Sequence, residues 1–280
     1  MRASYPQFTE SDLALDRHRA DPRRRGITYR EASFSGVLFS ALTVTESAEN
    51  FGKPCGRYLS LTFPHPALWS EDEKEALCLC VRLALHAFFK ESPTRLLVAG
   101  LGNRRLTADS LGPLVTERVN ATASLPKAFL ERFGAMSRTA VAVCAPDVFS
   151  RTGIESVGTV GAAAKLCHAD AVLAFDALAT VEKERLLCVV ELTDTGTVPG
   201  GGVKRGKAAL TRGSLGVPVV AVGVPTVVRV DGEYFLVPRD LEEGVFAIAS
   251  LLSRAVDLTF GEEMPKVPFS VEELFISEEL

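Results

Sequence analysis

The chain has 280 residues, 47% hydrophobic and 24% charged, which is enough apolar material for a sizeable core and excludes a disordered or collagen-like polypeptide. Lys and Arg number 31 against 35 Asp and Glu, a net charge of −4 that argues against a general binder of nucleic acid or anionic membrane. No run approaches the ~20 consecutive apolar residues of a membrane span, and Met1-Arg2-Ala3-Ser4-Tyr5-Pro6 lacks the apolar stretch of an export signal. A soluble, cytoplasmic protein is expected, with Cys55, Cys78, Cys80, Cys144, Cys167 and Cys188 as reduced thiols, mostly within apolar runs.

The first thirty residues, with Arg17, His18, Arg19 and Arg23-Arg24-Arg25, read as an arm outside the core. Branched and aromatic residues between turn clusters predict strands over 37–44 and 58–63, as antiparallel neighbours. Ser70 as a cap, acids at 71–73 and helical spacing of apolar residues from Ala76 to Phe89 predict a helix. Short apolar strands then alternate with helices: strands over 95–99, 139–144, 171–175, 187–192 and 218–222, helices near 110–119, 154–167 and 241–256. This alternation predicts an α/β fold, a three-layer sandwich around a mostly parallel twisted sheet. Residues 262–280 read as a loosely attached acidic tail, leaving one domain over 13–261.

In such a sheet ligands bind beyond the carboxyl ends of the strands, so the residues following each strand are the candidates for chemistry. The strand over 95–99 runs into Gly100-Leu101-Gly102-Asn103, but Arg105 stands where a dinucleotide turn needs its third glycine. What remains is a glycine-rich turn with Thr107 as an N-cap and Asp109 in the first helical turn, where the helix dipole would hold its charge. Asp176 follows the wholly apolar Ala171–Phe175, an expensive place for an acid without a task or a partner. Two carboxylates converging on one water can divide acid and base roles, which is chemistry for hydrolysing an amide.

The segment from Glu191 to Ala208 holds two further motifs. Asp194-Thr195-Gly196 matches the tripeptide of pepsin-like proteases, but those use two copies in an all-β fold, so Asp194 is kept only as a reserve carboxylate. Gly201 to Lys207 has P-loop spacing, but Ala208 replaces the Ser or Thr that would hold magnesium, leaving a glycine-rich loop with amides and positive charge. The histidines are too scattered for a zinc site, and no metal or cofactor is expected.

Six motifs stand in order along the chain: Gly52-Lys53 with Gly56-Arg57-Tyr58; Gly100-Leu101-Gly102-Asn103 with Thr107 to Pro113; Thr152-Gly153-Ile154-Glu155; Asp176-Ala177-Leu178-Ala179; Asp194-Thr195-Gly196 with Pro199-Gly200; and Leu215 to Pro218 through Gly223 to Val228. In this order they resemble the germination protease family of endospore-forming bacteria. The resemblance implies a fold similar to hydrogenase maturation endopeptidases and an aspartic-type peptidase whose two essential aspartates match Asp109 and Asp176. It further implies cleavage of small acid-soluble spore proteins on germination, in the cytoplasm of the forespore and spore core, by a homotetramer with no membrane or direct nucleic-acid partner. Such enzymes are made as zymogens that remove their own N-terminal segment. Ser11-Asp12-Leu13-Ala14 is similar to that site, so residues 1–12 are expected to be a propeptide cut between Asp12 and Leu13.

Asn103, Asp194, Lys204 and Arg205 are expected in supporting roles, the last two or Arg104-Arg105 meeting the acid at the cleaved bond. One departure from the family is a short link through Arg229 to Glu233 where relatives carry a long segment. Two other readings stand beside this one: a metal-dependent maturation-type peptidase with Asp109 and Asp176 as oxygen ligands, and a nucleotide- or phosphate-binding regulatory protein using 201–207.

Overall fold

The computed structural model describes residues 11–48, 51–89, 91–126, 139–200, 208–230 and 234–276. Its strands are β1 (Ile27–Phe34), β2 (Val37–Val44), β3 (Gly56–Thr62), β4 (Arg95–Gly100), β5 (Ala140–Cys144), β6 (Ala171–Thr180), β7 (Val189–Thr193), β8 (Val219–Val230) and β9 (Tyr234–Leu236). They form one sheet in the order β1-β2-β3-β7-β8-β6-β4-β5, with β9 pairing β8. The strands β8, β6, β4 and β5 run parallel to their neighbours in that row, and β1, β2, β3 and β7 extend the sheet antiparallel on the other side of β8.

Successive residues along a strand point to opposite faces, and here both faces are apolar because both are covered. Leu96, Val98, Leu173 and Phe175 join the core beneath α2 (Glu71–Phe88), α3 (Leu111–Thr116) and α7 (Leu241–Gly261). Leu97, Ala99, Val172 and Ala174 face the other way, under α5 (Ser156–Leu166). At the far end of that second face, Leu42, Val44 and Tyr58 pack beneath Ala14 and Leu15 of α1 (Ala14–Ala20). Two single-turn helices, α4 (Phe149–Thr152) and α6 (Arg212–Leu215), complete the layers, so the fold is the expected α/β sandwich.

The start of α2 is fixed locally. Ser70 accepts the Glu73 N–H and the Glu73 carboxylate accepts the Ser70 N–H, a reciprocal cap contributing about 1 kcal/mol. By length and composition α7 could cross a membrane, but 61% of its most apolar window is buried, against α2 and α3. All six cysteines carry free thiols, and burial pushes that of Cys80 up to about 12.

Four local expectations are corrected. The N-terminal arm is part of the core, because Leu13, Ala14 and Leu15 have no exposed surface. Ile27–Phe34 forms edge strand β1, unsuspected because none of its residues is buried and its apolar alternation is diluted by Arg30 and Glu31. The tail is not loose as far as Ile276: Phe269 stacks on Phe34, Phe275 meets Phe88, Val271 is buried, and Arg82 donates to the Glu263 carbonyl. Thr107 does not cap a helix; residues Thr107–Asp109 form a 3-10 turn two residues ahead of α3, with no side-chain cap.

Two glycines let α3 approach the strand ends. A Cβ on Gly112 would lie 2.3 Å from the Leu101 carbonyl oxygen and 2.5 Å from that of Phe175, and one on Gly100 would lie 2.2 Å from the Gly112 oxygen. Gly112→Ala must therefore displace α3 and the turn carrying Asp109, at a cost of roughly 2–3 kcal/mol. Its expected signature is a lowered melting temperature together with loss of activity. For the tail, Phe269→Ala should cost about 1–3 kcal/mol in urea unfolding with catalysis at the intact site unaffected.

Candidate active site

The second face of the sheet carries a polar gap between its two apolar clusters. Alternation along β3, β6 and β7 turns Ser60, Asp176 and Glu191 into that gap, while their neighbours Leu59, Leu61, Phe175, Val190 and Leu192 go to the opposite core. A cavity of about 800 Å³ opens there and is lined, among others, by Asp12, Lys53, Asp109, Asp176 and Glu191.

Asp109 closes the 3-10 turn at the end of the β4 loop. Its Oδ2 accepts the Asn103 N–H at 2.9 Å, and the preceding carbonyl of Ala108 accepts the Thr226 hydroxyl of β8 at 2.6 Å. Gly102 has φ +111°, and a Cβ there would stand 2.1 Å from the Asp109 carbonyl oxygen. The glycine pair that resembles a dinucleotide turn thus serves close packing around an aspartate. Asn103 contributes its main-chain N–H; its side chain caps Arg105 N–H and meets Arg151.

Asp176 lies within β6 rather than after it, opposite Gly223 of β8, and is 7% exposed. Its Oδ1 accepts the Ala177 N–H at 3.0 Å. The strand continues past the expected end because β8 pairs with it for five residues beyond Phe175, whereas the pairing with β4 stops at Gly100 and Phe175. From Asp176 onward, the edge of β6 that faced β4 is therefore open.

The N-terminal segment takes that open edge. Asp12 N–H donates to the Ala179 carbonyl at 2.8 Å, and Ala179 N–H donates to Asp12 Oδ2 at 2.8 Å. A register shift between Leu178 and Ala179 re-aims this part of the strand. The carbonyl of Asp12, which belongs to the Asp12–Leu13 bond, accepts a hydrogen bond from Lys53 Nζ. Leu13 N–H donates to Ser11 Oγ at 3.1 Å, and Ala14 N–H reaches both Glu191 oxygens at 3.0 Å. Beyond, the buried Asp16 accepts from Ser11 and Thr180 hydroxyls at 2.5 and 2.8 Å and pairs with Arg185 at 2.7 Å.

Lys53 and Glu191 face each other in this enclosure. Desolvation pulls the Lys53 ammonium below its usual range, opposed by Glu191 and Asp12. It pushes the Glu191 carboxyl up, opposed by Lys53 and by the Ala14 N–H. Neither residue was singled out from the sequence as a functional side chain. Glu191, an acid inside Val189–Thr193, carries the same signal as Asp176.

The supporting residues fall differently. Asp194 is bound to Arg57, accepting its N–H at Oδ1 and its Nε–H at Oδ2, both at 2.8 Å, while the guanidinium lies over Phe88 and Phe275. That arrangement ties β3 to β7 instead of facing the cavity. Arg104 pairs with Glu117 at 2.6 Å, and Lys204, Arg205 and the 201–207 loop lie outside the described residues. The acid at Asp12 meets the Ala179 amide, and Arg17, Lys53 and Arg229 are the cations lining the same cavity among the described residues. Among the described residues, no three His, Cys, Asp or Glu side chains are grouped as a metal ligand set.

The sequence is similar to those of known proteins. The family model described as germination protease matches residues 9–232. Relatives named germination protease include one from Bacillus thuringiensis subsp. konkukian, 31% identical over 277 residues, covering 90% of this chain and 74% of that protein. Another, from Caldanaerobacter subterraneus subsp. tengcongensis, is 34% identical over 226 residues, covering 78% and 68%. A solved [NiFe] hydrogenase maturation protease, HycI from Thermococcus kodakarensis, aligns with TM-score 0.36 and 20% identity over 62% of this chain and 99% of that one. The match over residues 9–232 and the relatives above 30% identity make the chain a peptidase of spore germination, a member of the germination protease family.

Proposed function

We propose that the chain is an endopeptidase in which Asp109 and Asp176 activate a water, and that its first substrate is its own Asp12–Leu13 bond. The observation that carries this reading is that Asp12 lines the same cavity as both aspartates, with the carbonyl of that bond hydrogen-bonded to Lys53. One carboxylate takes a proton from water as the oxygen attacks the Asp12 carbonyl carbon. The developing oxyanion is met by the Lys53 ammonium, and the protonated carboxyl returns its proton to the departing Leu13 nitrogen. No covalent intermediate is needed.

Residues 1–12 then act as a propeptide. While the segment is attached, Asp12 occupies the β6 edge that a substrate strand would use, and cutting frees the segment to leave. The later substrates are small acid-soluble spore proteins, entering by the same strand addition with an acid in the Asp12 position, where the Ala179 N–H awaits a carboxylate. The enzyme acts in the cytoplasm of the spore core and assembles as a homotetramer. The exposed apolar run Tyr234-Phe235-Leu236-Val237 supports association, since an apolar edge of this kind favours a partner.

Asp109→Asn and Asp176→Asn, which keep shape and remove charge, should each slow self-cleavage by about 10³-fold or more while melting like the parent. Intact-mass analysis of the purified chains checks this; addition of a chelator should change nothing. Lys53→Met should cost about 10²–10³ in rate, the scale of a lost oxyanion donor. Asp194→Asn separates structure from catalysis. It should lower the melting temperature by loosening Arg57, and leave the rate constant of the folded fraction within a few-fold of the parent.

A further inference from the structure

Glu191 is 5% exposed, lies on no helix terminus and joins no metal-ligand cluster among the described residues, yet its two oxygens converge on a single main-chain donor. That donor is Ala14 N–H, in the second residue beyond the Asp12–Leu13 bond. The third contact, Ser60 Oγ at 3.1 Å, comes from the neighbouring strand and holds the carboxylate in place. Lys53, the side chain that meets the carbonyl of the same bond, faces Glu191 across the cavity. The bond is thus gripped on both sides, at the Asp12 main chain and carbonyl on one and at the Ala14 amide on the other.

Resting on the peptidase reading above, we infer that Glu191 is a substrate-positioning residue. It anchors the N–H of the second residue after the cleaved bond, so the site selects chains that offer a main-chain donor there. A substrate with proline at that position lacks the donor and is held on one side only. A hydrogen bond to a charged acceptor is among the stronger kinds, so its loss is felt in the rate whenever it fixes the register of the bond against the aspartates. Proline two residues beyond an acid would therefore mark bonds that the enzyme passes over.

The chain offers a clean way to delete this donor. Ala14 is the first residue of α1, a position proline tolerates, and Leu13 before it has φ −80° and ψ 133°, which proline also accepts. Ala14→Pro in the full chain should lower the melting temperature, because Ala14 is buried and Glu191 loses a donor, and its folded fraction should cut the Asp12–Leu13 bond roughly 10–100-fold more slowly. Ala14→Gly, which keeps the N–H, should cut within a few-fold of the parent. In a Glu191→Gln background the further penalty from Ala14→Pro should shrink, because the same contact is already weakened. Glu191→Asp is an independent check: it keeps the charge facing Lys53 but withdraws the oxygens by one methylene, so cleavage should slow with the melting temperature unchanged.

The inference is overturned if Ala14→Pro or Glu191→Asp cuts at the parental rate. It is equally overturned if the Pro and Gln penalties simply multiply, the outcome of a purely structural Glu191. A parent chain that leaves Asp12–Leu13 intact overturns the peptidase reading together with this one, which distinguishes the two failures.

Discussion

A strand that outruns its neighbour leaves main-chain donors and acceptors that something must satisfy, and here that obligation organises the site. The pairing of β6 with β4 ends at Phe175, while its pairing with β8 continues to Thr180, so Asp176 to Thr180 present one open edge in the middle of a covered sheet. Water could satisfy that edge in an open cleft, and a chain in extended conformation satisfies it better. The N-terminal segment does so through Ala179, and the bond that follows Asp12 comes to rest in the cavity with Asp109 and Asp176. In the self-processing mechanism proposed above, substrate docking, self-blockade and the placing of the scissile bond would all follow from this one mismatch in strand length.

Three pairs of opposite charge lie around that edge. Asp16 meets Arg185, Glu191 faces Lys53, and Asp194 meets Arg57. Buried pairs of this kind seldom add much stability, because desolvation consumes most of the Coulombic gain, so their value lies in holding one geometry. The first two pairs flank and hold the N-terminal segment, and the third ties β3 to the end of β7. Under the proposed self-cleavage, release of the segment would remove the Ser11 contact to Asp16 and the Asp12 contact to Lys53 together, leaving the enclosure open and charged for an incoming chain.

Much of this was legible in the amino-acid order where the signal was local. The Ser70 box, the apolar alternation of β2 and β4, and the acid at the end of an apolar run at Asp176 each depend on neighbours within a few residues. Contacts across long separations were not legible. Leu13 and Leu15 sit among charged residues and read as an arm, yet their neighbours Ala14 and Asp16 are held by Glu191 and Thr180, more than 160 residues away. Phe269 and Phe275 were masked by the acids around them and reach back to Phe34 and Phe88. Asp109 was assigned to a helix dipole, whereas the Asn103 N–H and the room left by Gly102 hold it. Lys53 lies in a glycine-proline loop whose composition says nothing of the strand it will meet.

The most direct test of the central claim is the concentration dependence of self-cleavage, followed by intact mass from the purified full-length chain. Because each chain carries its own residue 12 in its own cavity, the product should begin at Leu13 and appear with a first-order rate constant that is unchanged on hundredfold dilution, an estimate on the order of what separates intramolecular from bimolecular encounter. A product beginning elsewhere, or a rate that falls in proportion to concentration, would contradict it.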